Sequence, residues 1–274
     1  MPSNQTEQDS SSASSRRGTI GAVEHAIDLL RCLSEAGCSL GTNDIARRIG
    51  IHKSSVSRLA GTLEKARLVQ RDSETGRLSL GIGLVALAAP VLASFEARDL
   101  VRPLLEELAK RTGETASFSI WDGHEAVSIE QVAGSNSVQA FSRPGHRNPA
   151  HATAAGKILL AHLSEQAIEN YCSEPLQRFT DTTITKPLFL KAELARCRVQ
   201  RYALNTGEFE SDVGAVSAIT FDSRSQVLGA MTLTVPMYRF ELPRRKELAE
   251  IISLYAAELS SKLGFSTALA RDRL

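Results

Sequence analysis

Few residues able to do chemistry cluster in this chain. Ala155-Gly156-Lys157 partly matches a phosphate-binding loop, but G-x-x-x-x-G-K-[ST] needs Gly at His151 and Ser or Thr at Ile158. No G-x-S-x-G nucleophile elbow occurs. His146 and His151 have neither an H-E-x-x-H pattern nor a nearby cysteine, so their spacing does not predict a metal site. The cysteines at 32, 38, 172 and 197 form no C-x-x-C pair, which argues against a zinc site or a disulfide framework. Glu208, Glu210 and Asp212 alternate as acids do on one strand face, and read as a solvated edge. No catalytic residue, metal or cofactor is expected.

Two binding patterns remain. Lys53, Ser54, Ser55, Ser57 and Arg58 bring ammonium, hydroxyl and guanidinium groups together, the donors that reach phosphates and base edges in DNA. Thr153-Ala154-Ala155-Gly156 opens a helix with small side chains, where free amides and the helix dipole favour a carboxylate. Thr232 and Thr234, two apart, send hydroxyls to one face of a strand.

The elements that position the first group are legible. Ala22 to Ala36 reads as a helix, with Val23, Ala26, Ile27, Leu30 and Leu33 at helical spacing and Gly37 at its end. Thr42 reads as the N-cap of a short second helix over 43–49, with Asp44 in its first turn and Gly50 just past its end. A third helix runs over 53–66, with Val56, Leu59, Ala60 and Leu63 inward and Ser54, Ser57, Arg58, Gly61 and Lys65 outward. Two short helices joined by a tight turn containing Gly predict a helix-turn-helix. Leu68–Arg71 and Arg77–Leu80 then flank a turn at Gly76 and form a wing, with Arg71 and Arg77 placed to meet phosphates.

Charge agrees with this division. The 274 residues carry 32 Lys+Arg and 31 Asp+Glu. Residues 16–82 hold 11 basic and 7 acidic side chains, a net +4, whereas residues 83–274 hold 21 and 22. The composition, 42% hydrophobic and 23% charged, excludes collagen-like and wholly disordered chains. No apolar run reaches the ~18 residues of a transmembrane helix. The polar, Ser-rich start has no signal-peptide core. A cytoplasmic protein without a membrane partner is expected.

Residues 42–59 resemble the IclR family of bacterial transcription regulators, whose helix-turn-helix reads approximately L-x-x-I-A-x-x-x-G-[LI]-x-K-S-T-V-x-R-L. His52 stands where the family usually has Pro. The likeness continues through Leu63-Glu64, Leu68-Val69 and Arg77-Leu78-Ser79-Leu80-Gly81, and covers nearly the whole chain from about residue 18. It includes His151-Ala152-Thr153-Ala154-Ala155-Gly156-Lys157 and the stretch Arg201 to Glu208, normally G-Y-A-x-D-x-E-E.

The resemblance implies an α+β protein with a winged helix-turn-helix joined by a linker helix to a GAF-like effector-binding domain. The expected boundaries are 1–17 for a disordered tail, 18–81 for the DNA-binding domain, 82–98 for the linker helix and 99–274 for the effector domain. The pattern itself predicts a helix from Asp99 to Gly113, strands over 116–121, 126–132, 213–221 and 227–235, a helix over 152–163 and a terminal helix carrying Leu248 to Leu263. Pro90 should kink or divide the linker. The DNA-binding residues expected are Thr42, Lys53, Ser54, Ser55, Ser57, Arg58, Arg71 and Arg77. The effector-binding residues that the resemblance implies are Ala154, Ala155, Asn205, Ala215, Thr232 and Thr234, with Asn205 where an Asp is usual and Ala215 where a Cys is common. Asn205 is expected at the pocket rim.

The expected function is a transcriptional regulator whose grip on operator DNA responds to a small organic acid or aromatic metabolite. A homodimer or dimer of dimers, pairing through the apolar residues 82–95, is expected. The alternative is a hydrolase or lyase with a basic N-terminal appendage, which would have to use His151, Lys157 and the acids at 208–212.

Overall fold

The computed structural model describes residues 20–93, 98–139 and 144–265. The expected tail at 1–17 and linker residues 94–97 lie outside the described residues. The chain forms two compact units, divided after Phe95.

In the first unit three helices pack around one core: α1 (Gly21–Ala36), α2 (Thr42–Ile49) and α3 (Lys53–Lys65). Gly37 and Gly50 end α1 and α2 in the left-handed conformation, at φ 61° and 70°, which glycine adopts without a Cβ penalty. Gly41, not the expected Thr42, occupies the N-cap of α2, and Thr42 is its first residue. His52 caps α3 by accepting the Ser54 amide on its ring. The α3 pattern holds, with Val56, Ala60 and Leu63 buried against Leu29, Leu33 and Ile45. The α1 pattern holds in part. Its core residues are Leu29, Cys32 and Leu33, while Val23 and Ile27 are exposed.

A two-stranded antiparallel hairpin follows, β1 (Val69–Arg71) and β2 (Leu78–Leu80). Its turn is built on Asp72, whose Oδ1 accepts the Glu74 and Thr75 amides, and on Gly76 at φ 67°. Leu78 exchanges both backbone hydrogen bonds with Leu40, at 2.8 Å each, so the wing is stitched to the segment between α1 and α2. Gly81 is required at the exit from β2, because a Cβ there would lie 2.2 Å from the Arg67 carbonyl oxygen. Helix α4 (Gly83–Ala93) follows and runs through Pro90, which does not end it.

The second unit begins with α5 (Arg98–Thr112). Its six-stranded sheet is antiparallel throughout, in the order β5 (Arg147–Asn148), β4 (Ala126–Val132), β3 (Thr115–Trp121), β8 (Val227–Pro236), β7 (Val213–Phe221), β6 (Tyr202–Thr206). Helices α6 (Ala154–Ala161), α7 (Glu165–Ser173) and α8 (Pro187–Gln200) precede β6, and α9 (Leu242–Lys262) closes the unit.

Register divides the sheet into two chemically different faces. Ala116, Leu233 and Val216 share one row, and Phe118, Met231 and Ala218 the next, all buried. On the opposite face the rows are Thr115, Thr234, Ala215 and Asn205, then Ser117, Thr232, Ser217 and Ala203. One face is therefore hydrocarbon and the other carries a buried band of hydroxyls, because successive strand residues alternate sides. Helices α5 and α9 pack on the sheet, and α6 packs against β6, β7 and β8. Ile158 and Leu159 of α6 join Ala203, Ile219 and Ala230, which extend the hydroxyl-bearing face, in one core. The expected elements of this unit are found, with ends shifted by one or two residues.

Candidate functional site

The hydroxyl face and α6 enclose a cavity of about 60 Å³. Thr153 caps α6: its Oγ1 accepts the Gly156 amide at 3.1 Å and donates to the Pro149 carbonyl at 2.9 Å. A Cβ on Gly156 would lie 2.4 Å from the Ala150 Cα, so only glycine lets the helix sit this close. The result is a first turn that presents Ala154 and Ala155, both buried, to the cavity.

All six residues implied for effector binding, Ala154, Ala155, Asn205, Ala215, Thr232 and Thr234, line this one cavity. Ser117, Ser119, His146, Asn148, Thr153, Phe209, Glu210 and Val213 complete it. Ser117 and Ser119 were missed by sequence reasoning, although their spacing at alternate positions of a predicted strand is the same signal as Thr232 and Thr234. The Thr232 hydroxyl is shared with Ser217 at 2.7 Å. The Thr234, Ser117 and Ser119 hydroxyls have no protein partner among the described residues and are free to meet a ligand. Asn205 departs from expectation: it is buried in the cavity wall rather than at the rim, and its Oδ1 accepts the Glu208 amide at 2.7 Å. The bond leaves the side-chain amide nitrogen as the group Asn205 offers. The exposed His146 and Glu210 stand at the mouth.

The acids at 208–212 do not share a strand face. They lie in the connection between β6 and β7, and Glu208 is buried rather than solvated. Its carboxylate accepts two bonds from the Lys157 ammonium, at 2.6 and 2.7 Å, and Lys157 is itself 1% exposed. Burial pushes the Glu208 carboxyl above the usual carboxylate range against the pull of Lys157. Glu193 lies 3.6 Å from the same ammonium. Burial raises it too, but Arg196 and Lys157 more than offset that and hold it below the usual range. Thr180 and Thr182 donate to the Gly207 carbonyl and Thr183 to that of Glu208. The connection that supplies Phe209 and Glu210 to the cavity is thus fastened to α6 and to residues 180–183.

Other titratable groups near the cavity are also bonded within the fold. His151 donates from Nε2 to the Gln177 carbonyl and accepts on Nδ1 from Tyr171. Burial pushes its pKa down and pushes the Tyr171 phenol up to about 12. The Cys197 thiol is likewise pushed up to about 12 by burial. No group of three or more metal-binding side chains occurs among the described residues.

In the first unit Lys53, Ser54, Ser55, Ser57 and Arg58 are exposed along α3, and Thr42 is half-buried at the start of α2. The two wing arginines differ from expectation. Arg77 is turned inward, donating from Nε and Nη2 to the Ser39 carbonyl at 3.1 and 2.7 Å. Arg71 pairs with Glu64 at 3.0 Å and also donates to the Gly76 carbonyl. An exposed pair of this kind contributes only ~0–1 kcal/mol, so a phosphate can compete for Arg71. The half-buried backbone bonds of Arg77 serve the fold.

A winged helix-turn-helix together with an α+β unit that encloses a polar cavity defines a ligand-responsive, DNA-binding transcriptional regulator. The family models agree on both parts: residues 22–73 match the IclR helix-turn-helix domain, and residues 89–261 match the bacterial transcriptional regulator IclR C-terminal domain. The chain belongs to the IclR family of bacterial transcriptional regulators. It is 34% identical over 248 residues to the HTH-type transcriptional regulator XynR of Escherichia coli K12, covering 90% of this chain and 98% of that one. It is 26% identical to the transcriptional repressor IclR of the same organism, over 90% and 91% of the two chains. A solved IclR-type regulator from Silicibacter sp. TM1040 superposes with a TM-score of 0.76 at 26% identity, covering 90% and 97%. An IclR homologue from Microbacterium hydrocarbonoxydans, solved with 4-hydroxybenzoate, shares the fold with a TM-score of 0.75 at 22% identity, covering 88% and 98%. No helix among the described residues is long and apolar enough to cross a membrane.

Breaking the buried pair strands a charge, which typically costs about 3–5 kcal/mol. Lys157→Met is expected to lower the urea midpoint sharply. Lys157→Met combined with Glu208→Leu should recover much of that loss, as urea unfolding followed by circular dichroism would show.

Proposed function

We propose that the cavity beneath α6 is the effector site, and that its ligand is a small organic acid. The observation that carries this reading is that six residues implied by family likeness, drawn from α6, β6, β7 and β8, line one enclosed space. The amides of a capped helix start favour a carboxylate, and the free hydroxyls of Ser117, Ser119 and Thr234 supply hydrogen bonds to the rest of the ligand. The effector shifts the protein between DNA-competent and incompetent states by binding one of them more tightly. A thermal-shift screen of small carboxylic acids tests the site, since a ligand selective for the folded state raises its stability. The acid that stabilises the wild type is expected to bind Thr234→Val about 2- to 12-fold more weakly, the equivalent of one neutral hydrogen bond of about 0.5–1.5 kcal/mol. Ala154→Phe should abolish the response. Unaltered affinity in both variants refutes the site.

The DNA-reading surface, on this proposal, is the exposed face of α3 with Lys53, Ser54, Ser55, Ser57 and Arg58. Arg71 contacts phosphate, and Thr42 lies beside the backbone at the start of α2. The DNA-binding unit spans 18–81, the linker 82–98 and the effector unit 99–274, and the protein acts in the cytoplasm. Arg58→Ala is expected to lose operator affinity by about 1–3 kcal/mol with an unchanged melting temperature. Arg77→Ala should instead lower the melting temperature. Electrophoretic retardation across a salt series, beside thermal melts, separates the two effects.

The chain acts as a homodimer or a dimer of dimers. Ile82 and the first turns of α4 support this: Ile82, Val85 and Leu87 are 71%, 58% and 65% exposed, an apolar set that a second copy would cover. Paired half-sites are the common solution for a small DNA-reading module. Sedimentation velocity should find dimers or larger, and Val85→Glu with Leu87→Glu should shift them toward monomers. A wild-type monomer at micromolar concentration that still binds DNA refutes the assembly.

A further inference from the structure

The cap of α3 carries a donor that the phosphate-and-base surface described above does not include. His52 is exposed, and its Nδ1 lies 3.3 Å from the Ser54 amide and 2.7 Å from the Ser54 hydroxyl. An amide N–H can only donate, so Nδ1 must accept, and it is unprotonated. The ring proton of the neutral imidazole therefore sits on Nε2. Nε2 lies across the ring from the atom tied to the helix, and it has no protein partner among the described residues. The cap thus fixes both the tautomer and the ring, and leaves one oriented N–H facing away from α3.

A second, independent feature says where that donor works. Lys53 and Arg58 are exposed and form no ion pair among the described residues, while Arg47 is paired with Asp44, Arg71 with Glu64, and Arg77 is bound to Ser39. The free cations of α3 begin at the residue next to His52. The N-terminal residues of a recognition helix are the ones that meet base edges in the major groove.

We propose that His52 is a specificity-determining residue that donates Nε2–H to an acceptor on a base edge. Its chemistry sets the rule it reads. Guanine, adenine and thymine present N7, O6 or O4 acceptors in the major groove, whereas cytosine presents only an amino donor there. A single fixed donor therefore discriminates against cytosine at one position. His52 alone supplies both the ring acceptor that caps α3 and the outward donor.

The test uses the full-length protein and a duplex library with a randomised central segment. Wild type, Arg58→Ala, His52→Ser and His52→Thr are each put through selection and sequencing. Serine and threonine hydroxyls keep the cap but reach no further than the helix start, and melting temperatures show which variant retains the wild-type fold. The expected result is one position, distinct from those altered by Arg58→Ala, that loses its exclusion of cytosine by about 3- to 10-fold in the His52 variants, the scale of one hydrogen bond. Unchanged base preferences overturn the proposal. A uniform loss of affinity without any changed preference also overturns it, because the donor then meets a phosphate. Wild-type protein that enriches no sequence overturns both this proposal and the recognition role of α3.

Discussion

The effector unit depends on one buried ammonium. Lys157 leaves α6, the helix that forms one wall of the cavity, and reaches Glu208 in the connection that forms another. Two opposite charges at this depth are costly to desolvate, and the cost is offset only when geometry is good and each carboxylate and ammonium is fully bonded. Here Glu208 receives two bonds from the ammonium, its amide is capped by Asn205 and its carbonyl is held by Thr183. The side chain, amide and carbonyl of one residue are thus all fixed. The pair thus adds hydrogen bonds between α6 and the β6–β7 connection to the apolar packing of Ile158 and Leu159.

The winged unit applies the same economy to its cations. A guanidinium has five donors in a rigid fork, and Arg77 commits two of them to a carbonyl that ties the wing to the α1–α2 connection. The hairpin is short, three residues a strand. Strands of that length hold little by themselves, and the Leu40–Leu78 bridge with the Arg77 latch supplies what the hairpin lacks. Lys53 and Arg58 on α3 stay exposed and unpaired among the described residues, while Arg71 and Arg77 are engaged within the fold.

Much of this was legible in the sequence because it rests on local rules. Glycines at 37, 50 and 76 announced helix ends and a turn, and the spacing of Val56, Ala60 and Leu63 announced the inner face of α3. Thr153 and the alternation of Thr232 with Thr234 pointed toward the cavity. What was not legible was long-range. Arg77 lies 38 residues from Ser39 and Lys157 lies 51 from Glu208, so periodicity carries no trace of either bond. The acids at 208–212 looked solvated because alternation predicts a strand, and the connection instead folds Glu208 inward. Val23 and Ile27 looked like core because an apolar stripe at helical spacing does not say how far along the helix the core extends.

Gly156 has a consequence for how such a protein diversifies. Its missing Cβ lets α6 rest on Ala150 at a distance that admits no extra atom, so the helix side of the cavity is a fixed floor. With that backbone held, volume and polarity can be altered by the side chains at 154 and 155, at strand positions such as 117, 119, 215 and 234, or by Phe209 in the β6–β7 connection. Those strand positions lie on the face opposite the hydrocarbon rows of Phe118, Met231 and Leu233. Exchanges at alternate strand positions can therefore reshape the cavity while the hydrocarbon rows behind it stay as they are.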